Sequence, residues 1–359
     1  MNMYVGMMAA VLLLAYAMRG DRPENKSYIW LSCFLMFALC GLRDVYNIGS
    51  DSASSYANNF AAMADVDWSE IGASEDSSNL GYYYLVKLCH DLFDGDYQLF
   101  YILYTAFFMA IFARFISRYS PSPVQSFCYF WGLLCYIFLF DGIKQGIAMG
   151  FITLAFDAIV KKKPIRFALL VYIAWWFHAP AMIFAPAYLI AMMKPGRMYL
   201  LFLVALLGFT YSFRDQLLEL MLEFYDTTIY DYEMRFLANK ALIMLGIVAA
   251  ALILRPPEES DRVYGILMQF MGISIVLQTF ASYNNTFERL ANYYFQFAVV
   301  FIPMVFQSDT RRSQLLDIKT EAMAKQLAPW AFCAFGVWRF SNYIRSTSWI
   351  WLPYRFFFE

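Results

Sequence analysis

Residues 124–163, "VQSFCYFWGLLCYIFLFDGIKQGIAMGFITLAFDAIVKKK", decide the fold. Two apolar runs, 124–140 and 145–160, flank a short polar joint holding Asp141 and Lys144, and Lys161–Lys163 close the second run. A helix needs about 20 mostly apolar residues to cross a hydrocarbon core, and these runs approach that length. Working outward, similar runs recur at 2–18, 28–43, 97–117, 165–178, 180–193, 198–212, 237–254, 263–281, 290–306 and 327–345. A shorter one, 81–94, is interrupted by Lys87 and reads as a half-helix or interfacial segment. The expectation is an all-α, polytopic integral membrane protein with about 12 transmembrane helices, in a range of roughly 10 to 13.

Composition agrees. The 359 residues are 61% hydrophobic, 20% aromatic and 15% charged, against about 25% charged in soluble domains. A soluble chain with so little charge could not cover its surface. The net charge of −1 argues against a nucleic-acid partner. The six cysteines form no CxxC pair and read as small core hydrophobes. Two histidines, His90 and His178, leave no His-rich metal site, and neither a metal nor a cofactor is expected. Residues 1–18 lack a basic leader, so they read as a first membrane helix rather than a cleaved signal peptide.

Alternate joints carry most of the 27 Lys and Arg residues: Arg19, Arg22 and Lys26; Arg114 and Arg118; Lys161–Lys163 and Arg166; Lys194 and Arg197; Arg255 and Arg262; Arg311, Arg312, Lys319 and Lys325. The positive-inside rule makes that side cytoplasmic and puts both termini outside. The larger outer joints are 44–80, with an acidic run, and 213–236, whose apolar residues at helical spacing suggest an amphipathic surface helix. There is no internal repeat, so residues 1–359 read as one membrane domain.

This topology leaves four ionisable groups at outer helix ends: Arg43 (with Asp51 after it), Lys144 (followed by Gln145), His178 and Arg289. Such groups are costly unless they snorkel, pair or work. Each has a plain alternative. Arg43 would serve as an interfacial anchor, Lys144 would pair with Asp141, His178 would bond a carbonyl freed by Pro180, and Arg289 would sit as a surface charge beside Glu288. Together, three cations and a histidine on the side poorer in cations point to a phosphate or pyrophosphate carried by a lipid. Aromatic residues at Tyr82–Tyr84, Trp175–Trp176, Tyr293–Tyr294, Trp349, Trp351 and Tyr354 supply faces for sugar rings or an interfacial belt.

The order of motifs resembles the EpsG family of Wzy-type bacterial polysaccharide polymerases. The elements are Leu42–Arg43 with Gly49, Asp51 and Tyr56; Gly81–Tyr82; Lys144–Gln145 with Ala148; Phe177–His178 with Ala181; Arg289 with Tyr293; and Pro353–Tyr354 with Phe356. The resemblance spans nearly the whole chain. It implies a GT-C-like, metal-independent glycosyltransferase at the outer face of the bacterial inner membrane. Its substrates would be oligosaccharide repeat units on undecaprenyl pyrophosphate, and a chain-length regulator is an expected partner. Arg43, Lys144 and Arg289 are then the pyrophosphate candidates. Gln145, Tyr293, Tyr82 and Tyr56 are candidates for binding the sugar or other parts of the substrate. Either His178 or Asp51 accepts the hydroxyl proton, a choice the residues leave open. Two departures stand out. Asn79 occupies a place where the family tends to have an acid, and Lys144 stands where it tends to have Arg, keeping the charge but not the planar fork. A transporter or flippase of lipid-linked saccharides would place charges at mid-membrane within inverted repeats, a pattern this chain lacks. An O-antigen ligase would use the same leaving-group chemistry on another acceptor.

Overall fold

The computed structural model describes residues 2–72, 79–194, 196–213, 215–217, 219, 239–254, 261–278, 285–307 and 316–359. The expected apolar runs become helices nearly run for run: α1 (Asn2–Met18), α2 (Lys26–Gly41), α3 (Ala57–Ala61), α4 (Leu80–Leu92), α5 (Tyr97–Tyr119), α6 (Pro123–Gly132), α7 (Cys135–Asp141), α8 (Ile143–Val160) and α9 (Pro164–Phe177). They continue with α10 (Ala187–Ile190), α11 (Arg197–Ser212), α12 (Asn239–Leu254), α13 (Arg262–Leu277), α14 (Asn285–Phe295), α15 (Ala298–Phe306), α16 (Ile318–Ser346) and α17 (Ser348–Trp351). Among the described residues there is no strand, only an isolated bridge between Arg43 and Phe356. The expected half-helix is α4. The segment expected to be amphipathic, 213–236, lies almost wholly outside the described residues.

The differences from expectation have local causes. Run 124–140 is two helices, α6 and α7, bent by 55°. Leu134 takes a left-handed conformation (φ 61°) at the break, and Arg339 Nη1 donates to the Gly132 carbonyl at 2.6 Å. Run 290–306 likewise splits into α14 and α15, bent by 51°. Run 180–193 forms only a 3₁₀ turn, Ala179–Phe184, and the short α10, because Pro180 and Pro186 lack the N–H that a continuous helix would need. Among the described residues, α5 and α8 are each long and apolar enough to cross a membrane, or up to four spans if each bent pair counts as one. The other apolar helices of 10–17 residues are shorter than the expected dozen full spans would require. All six cysteines are free thiols, and all but Cys135 are buried.

The chain forms two units, Met1–Met182 with Pro329–Glu359, and Ile183–Ala328. In the first, α5 and α8 run parallel. Tyr104 Oη donates to Leu139 O (3.0 Å) near the start of α8, and Arg114 reaches Asp157 (3.0 Å) near its end. Parallel neighbours require a return segment, and the bent α6–α7 pair supplies it. In the second unit, α13 is the central helix: Gln269 Nε2 donates to Met193 O (2.8 Å), and Ser274 Oγ donates to Ala291 O (3.3 Å).

Candidate functional site

Arg43 follows the last turn of α2. It is fully buried, with 0% of its surface exposed, not outward-facing as its position at a helix end predicts. Its Nη2 donates to Ser52 Oγ (2.8 Å), Tyr101 Oη (2.8 Å) and the Phe140 carbonyl (2.6 Å). The guanidinium carbon lies 4.8 Å from the Tyr101 ring centre, 4.7 Å from Phe140 and 5.8 Å from Trp351. Among the described residues Nε and Nη1 have no hydrogen-bond partner. A buried cation needs an opposing charge, and Asp141 provides it through Ser52. Asp141 Oδ1 accepts from Ser52 Oγ (2.7 Å) and from the backbone N–H groups of Ser50 and Ser52 (both 3.1 Å).

Gly49 makes this convergence sterically possible. Its φ is +126°, and a Cβ there would sit 2.2 Å from Ser52 Oγ and 3.0 Å from both Arg43 Nη1 and Asp141 Oδ1. The C-terminal segment covers the same turn. Asp44 N donates to Arg355 O (3.0 Å), Phe357 N to Leu42 O (3.0 Å) and Gly49 N to Ile350 O (3.1 Å), while Tyr354 Oη donates to Leu39 O (2.8 Å). The first and last motifs of the chain are therefore in contact.

One residue past Gly142, α8 begins and carries Lys144 in its first turn. Lys144 does not turn to Asp141. It donates to Tyr83 Oη (3.1 Å), and its ammonium lies 4.9 Å and 4.6 Å from the Tyr82 and Tyr83 ring centres. A helix N-terminus carries partial positive charge, so a half-exposed lysine there adds to a field that favours anions.

Helix α4 joins this lysine to His178. Gly81 lies against Trp176, where a Cβ would meet the indole at 2.7 Å. Asn79, left-handed at φ 64°, accepts the Ala179 N–H on its Oδ1 at 2.8 Å. The peptide following His178 is thereby held by the residue that opens α4. Tyr82 packs edge-on to Tyr56 at 5.9 Å; it is fully buried, and burial raises its phenol well above the usual value. On the last turns of α4, Lys87 pairs with Asp91 (3.0 Å), and Trp68 Nε1 donates to Asp91 as well (3.0 Å).

The first unit thus holds Arg43, Asp51, Tyr56, Tyr82, Lys144, Gln145 and His178, whereas Arg289 and Tyr293 lie on α14 in the second. Asp51 and His178 are half-buried, Gln145 is buried and Arg289 is exposed. Glu288, next to Arg289, pairs with Lys240. Tyr293 is fully buried, as is Trp351 apart from 2% of its surface, whereas Trp175 (37%) and Trp176 (38%) offer ring faces. Residues missed by sequence reasoning are Ser52 and Tyr101; Tyr83, expected as a ring face, instead bonds Lys144. Asp141 was considered only as a partner for Lys144, and its three-residue spacing from that lysine was the available signal.

A model of the EpsG family matches residues 27–356, across both units. No match was found among curated proteins or solved structures. The apolar helices and the family fit a membrane protein and a role of the polysaccharide-polymerase type. The chain belongs to the EpsG family.

Proposed function

We propose that the protein polymerises oligosaccharide repeat units carried on undecaprenyl pyrophosphate, at the outer face of a bacterial inner membrane with both termini outside. In this reaction an acceptor sugar hydroxyl attacks the donor's anomeric carbon, the bond to the lipid pyrophosphate breaks, and negative charge grows on the departing phosphate. Cations fixed in advance at that point stabilise the transition state more than the ground state.

The observation that carries this reading is Lys144, an ammonium at the N-terminal turn of α8 facing Tyr83 (3.1 Å), joined through α4 to the His178 turn. Lys144 takes the leaving phosphate. Arg43, fully buried, holds the 49–52 turn and the end of α7 through Ser52, Phe140 and Asp141, and so fixes where α8 begins. His178 or Asp51 accepts the hydroxyl proton. The half-exposed Trp175 and Trp176, just before His178 in the chain, supply the sugar-facing rings. Arg289, on α14 of the second unit, is a further phosphate candidate in its own right, and a chain-length regulator is the expected protein partner.

The test is to incubate purified protein with lipid-linked repeat units and resolve the products on a gel. A ladder of polymers supports the proposal. Folded protein that yields no ladder, or that only moves substrate between leaflets, contradicts it.

A further inference from the structure

Lys144 lies in the first turn of α8, and Asp157 lies thirteen residues later, about 20 Å along the helix axis. Asp157 is 4% exposed. Its Oδ2 accepts from Arg114 Nη2 (3.0 Å) and Arg118 Nη1 (3.1 Å), and Lys161 Nζ lies 4.0 Å from the same oxygen. Tyr119 Oη donates to the other oxygen and its ring lies 5.6 Å from the Arg118 guanidinium carbon, closing the inner side.

Among the described residues one carboxylate is paired here with three cations, an excess of two positive charges. The arginines are one helical turn apart on α5, hence on one face. Each uses one nitrogen on Asp157, and their side chains remain 51% and 38% exposed. Guanidinium groups presented in this way bind phosphate oxygens through paired N–H donors. The chain continues directly into Lys162, Lys163 and Arg166, all exposed. Among them Ile165 is 85% exposed, and Leu169 follows at 57%. Cations set beside exposed aliphatic side chains are what a surface at the headgroup–acyl boundary requires.

We propose that this cluster is a binding site for an anionic phospholipid headgroup, with the phosphate held by Arg114, Arg118 and the 161–166 turn, and acyl chains lying along Ile165 and Leu169. The shared chemistry is a phosphate anion. The adjacent aliphatic surface favours a lipid over free phosphate. The proposal does not depend on the polymerase reading, since it concerns the other end of α8.

Native mass spectrometry tests it, on protein released from nanodiscs of phosphatidylcholine with a minor fraction of phosphatidylglycerol or cardiolipin. Anionic lipid retained above its share of the bilayer is the expected result. The variant Lys162→Gln/Lys163→Gln/Arg166→Gln leaves every contact of Asp157 in place and should weaken retention by about fivefold for each charge near the headgroup. Arg118→Gln should weaken it too, and a wild-type melting curve in either variant certifies folding. In detergent, inorganic phosphate should stabilise the protein less than phosphatidylglycerol does. Equal retention of neutral and anionic lipid, retention unchanged in the triple variant, or phosphate matching the lipid would each overturn the proposal.

Discussion

Asn79 Oδ1 accepts the Ala179 backbone N–H at 2.8 Å, across a hundred residues of chain. The bond ties the first residue of the α4 turn to the peptide after His178. Asn79→Ala removes the acceptor and places a less tolerant residue at positive φ, at a cost of about 1–3 kcal/mol. Asn79→Asp keeps both the acceptor and the tolerance of left-handed geometry. Thermal unfolding should rank wild type and Asp together, with Ala below. An Ala variant as stable as wild type would show that the bond contributes nothing.

Gly49→Ala tests the turn beneath Arg43. Its φ of +126° and the crowding by Ser52, Arg43 and Asp141 leave no room for a methyl group, so destabilisation of about 1–3 kcal/mol or more is expected. The measurement is the midpoint of thermal unfolding in detergent. An unchanged midpoint would mean that the turn relaxes freely.

Asp141→Asn strips the charge opposed to a buried guanidinium, which it faces through Ser52 rather than in a direct pair, and should cost about 1–3 kcal/mol. In Arg43→Met/Asp141→Asn no uncompensated charge remains, so the double variant should lose less than the summed singles. A double-mutant cycle on unfolding free energies checks this. Strict additivity would mean that the two residues are not coupled through Ser52.

Asp91 gives an acid-sensitive contact. The hydrogen bond from Lys87 holds its carboxyl below the ordinary value of 3.8, helped by bonds from His90 and Trp68. A carboxyl depressed in the folded state contributes stability that is present above its ordinary value and is lost as pH falls through the lower, folded one. The Trp68 contact should therefore loosen only below about pH 4. Hydrogen exchange across α4 should rise there in the wild type, and Asp91→Asn should remove that step.

Much of the fold was legible because apolar run length is a strong local signal: α2, α5, α8 and α9 end within a few residues of where the runs end. The break at Gly132–Leu134 was not legible. It depends on a left-handed Leu134 and on Arg339, from a distant helix, capping the freed carbonyl. Within the site, Lys144 stood out as a charge at a helix end. The interior position of Arg43 did not, since nothing local shows that residues 350–357 fold back over it. The same return explains why motifs at the two ends of the chain belong together. Asn79, seen from sequence as a departure from the family's acid, keeps an acceptor oxygen at that position, and the bond to Ala179 uses that oxygen.

The most direct test of the central claim is ladder formation from lipid-linked repeat units by purified wild type, Lys144→Arg and Lys144→Gln, each shown to be folded by its melting curve. Polymer is expected from wild type and from the Arg variant, which keeps the charge. The Gln variant should run at a rate at least about 100-fold lower, the scale lost when a single preorganised electrostatic partner is removed. Polymer formed by the Gln variant at the wild-type rate would contradict the claim.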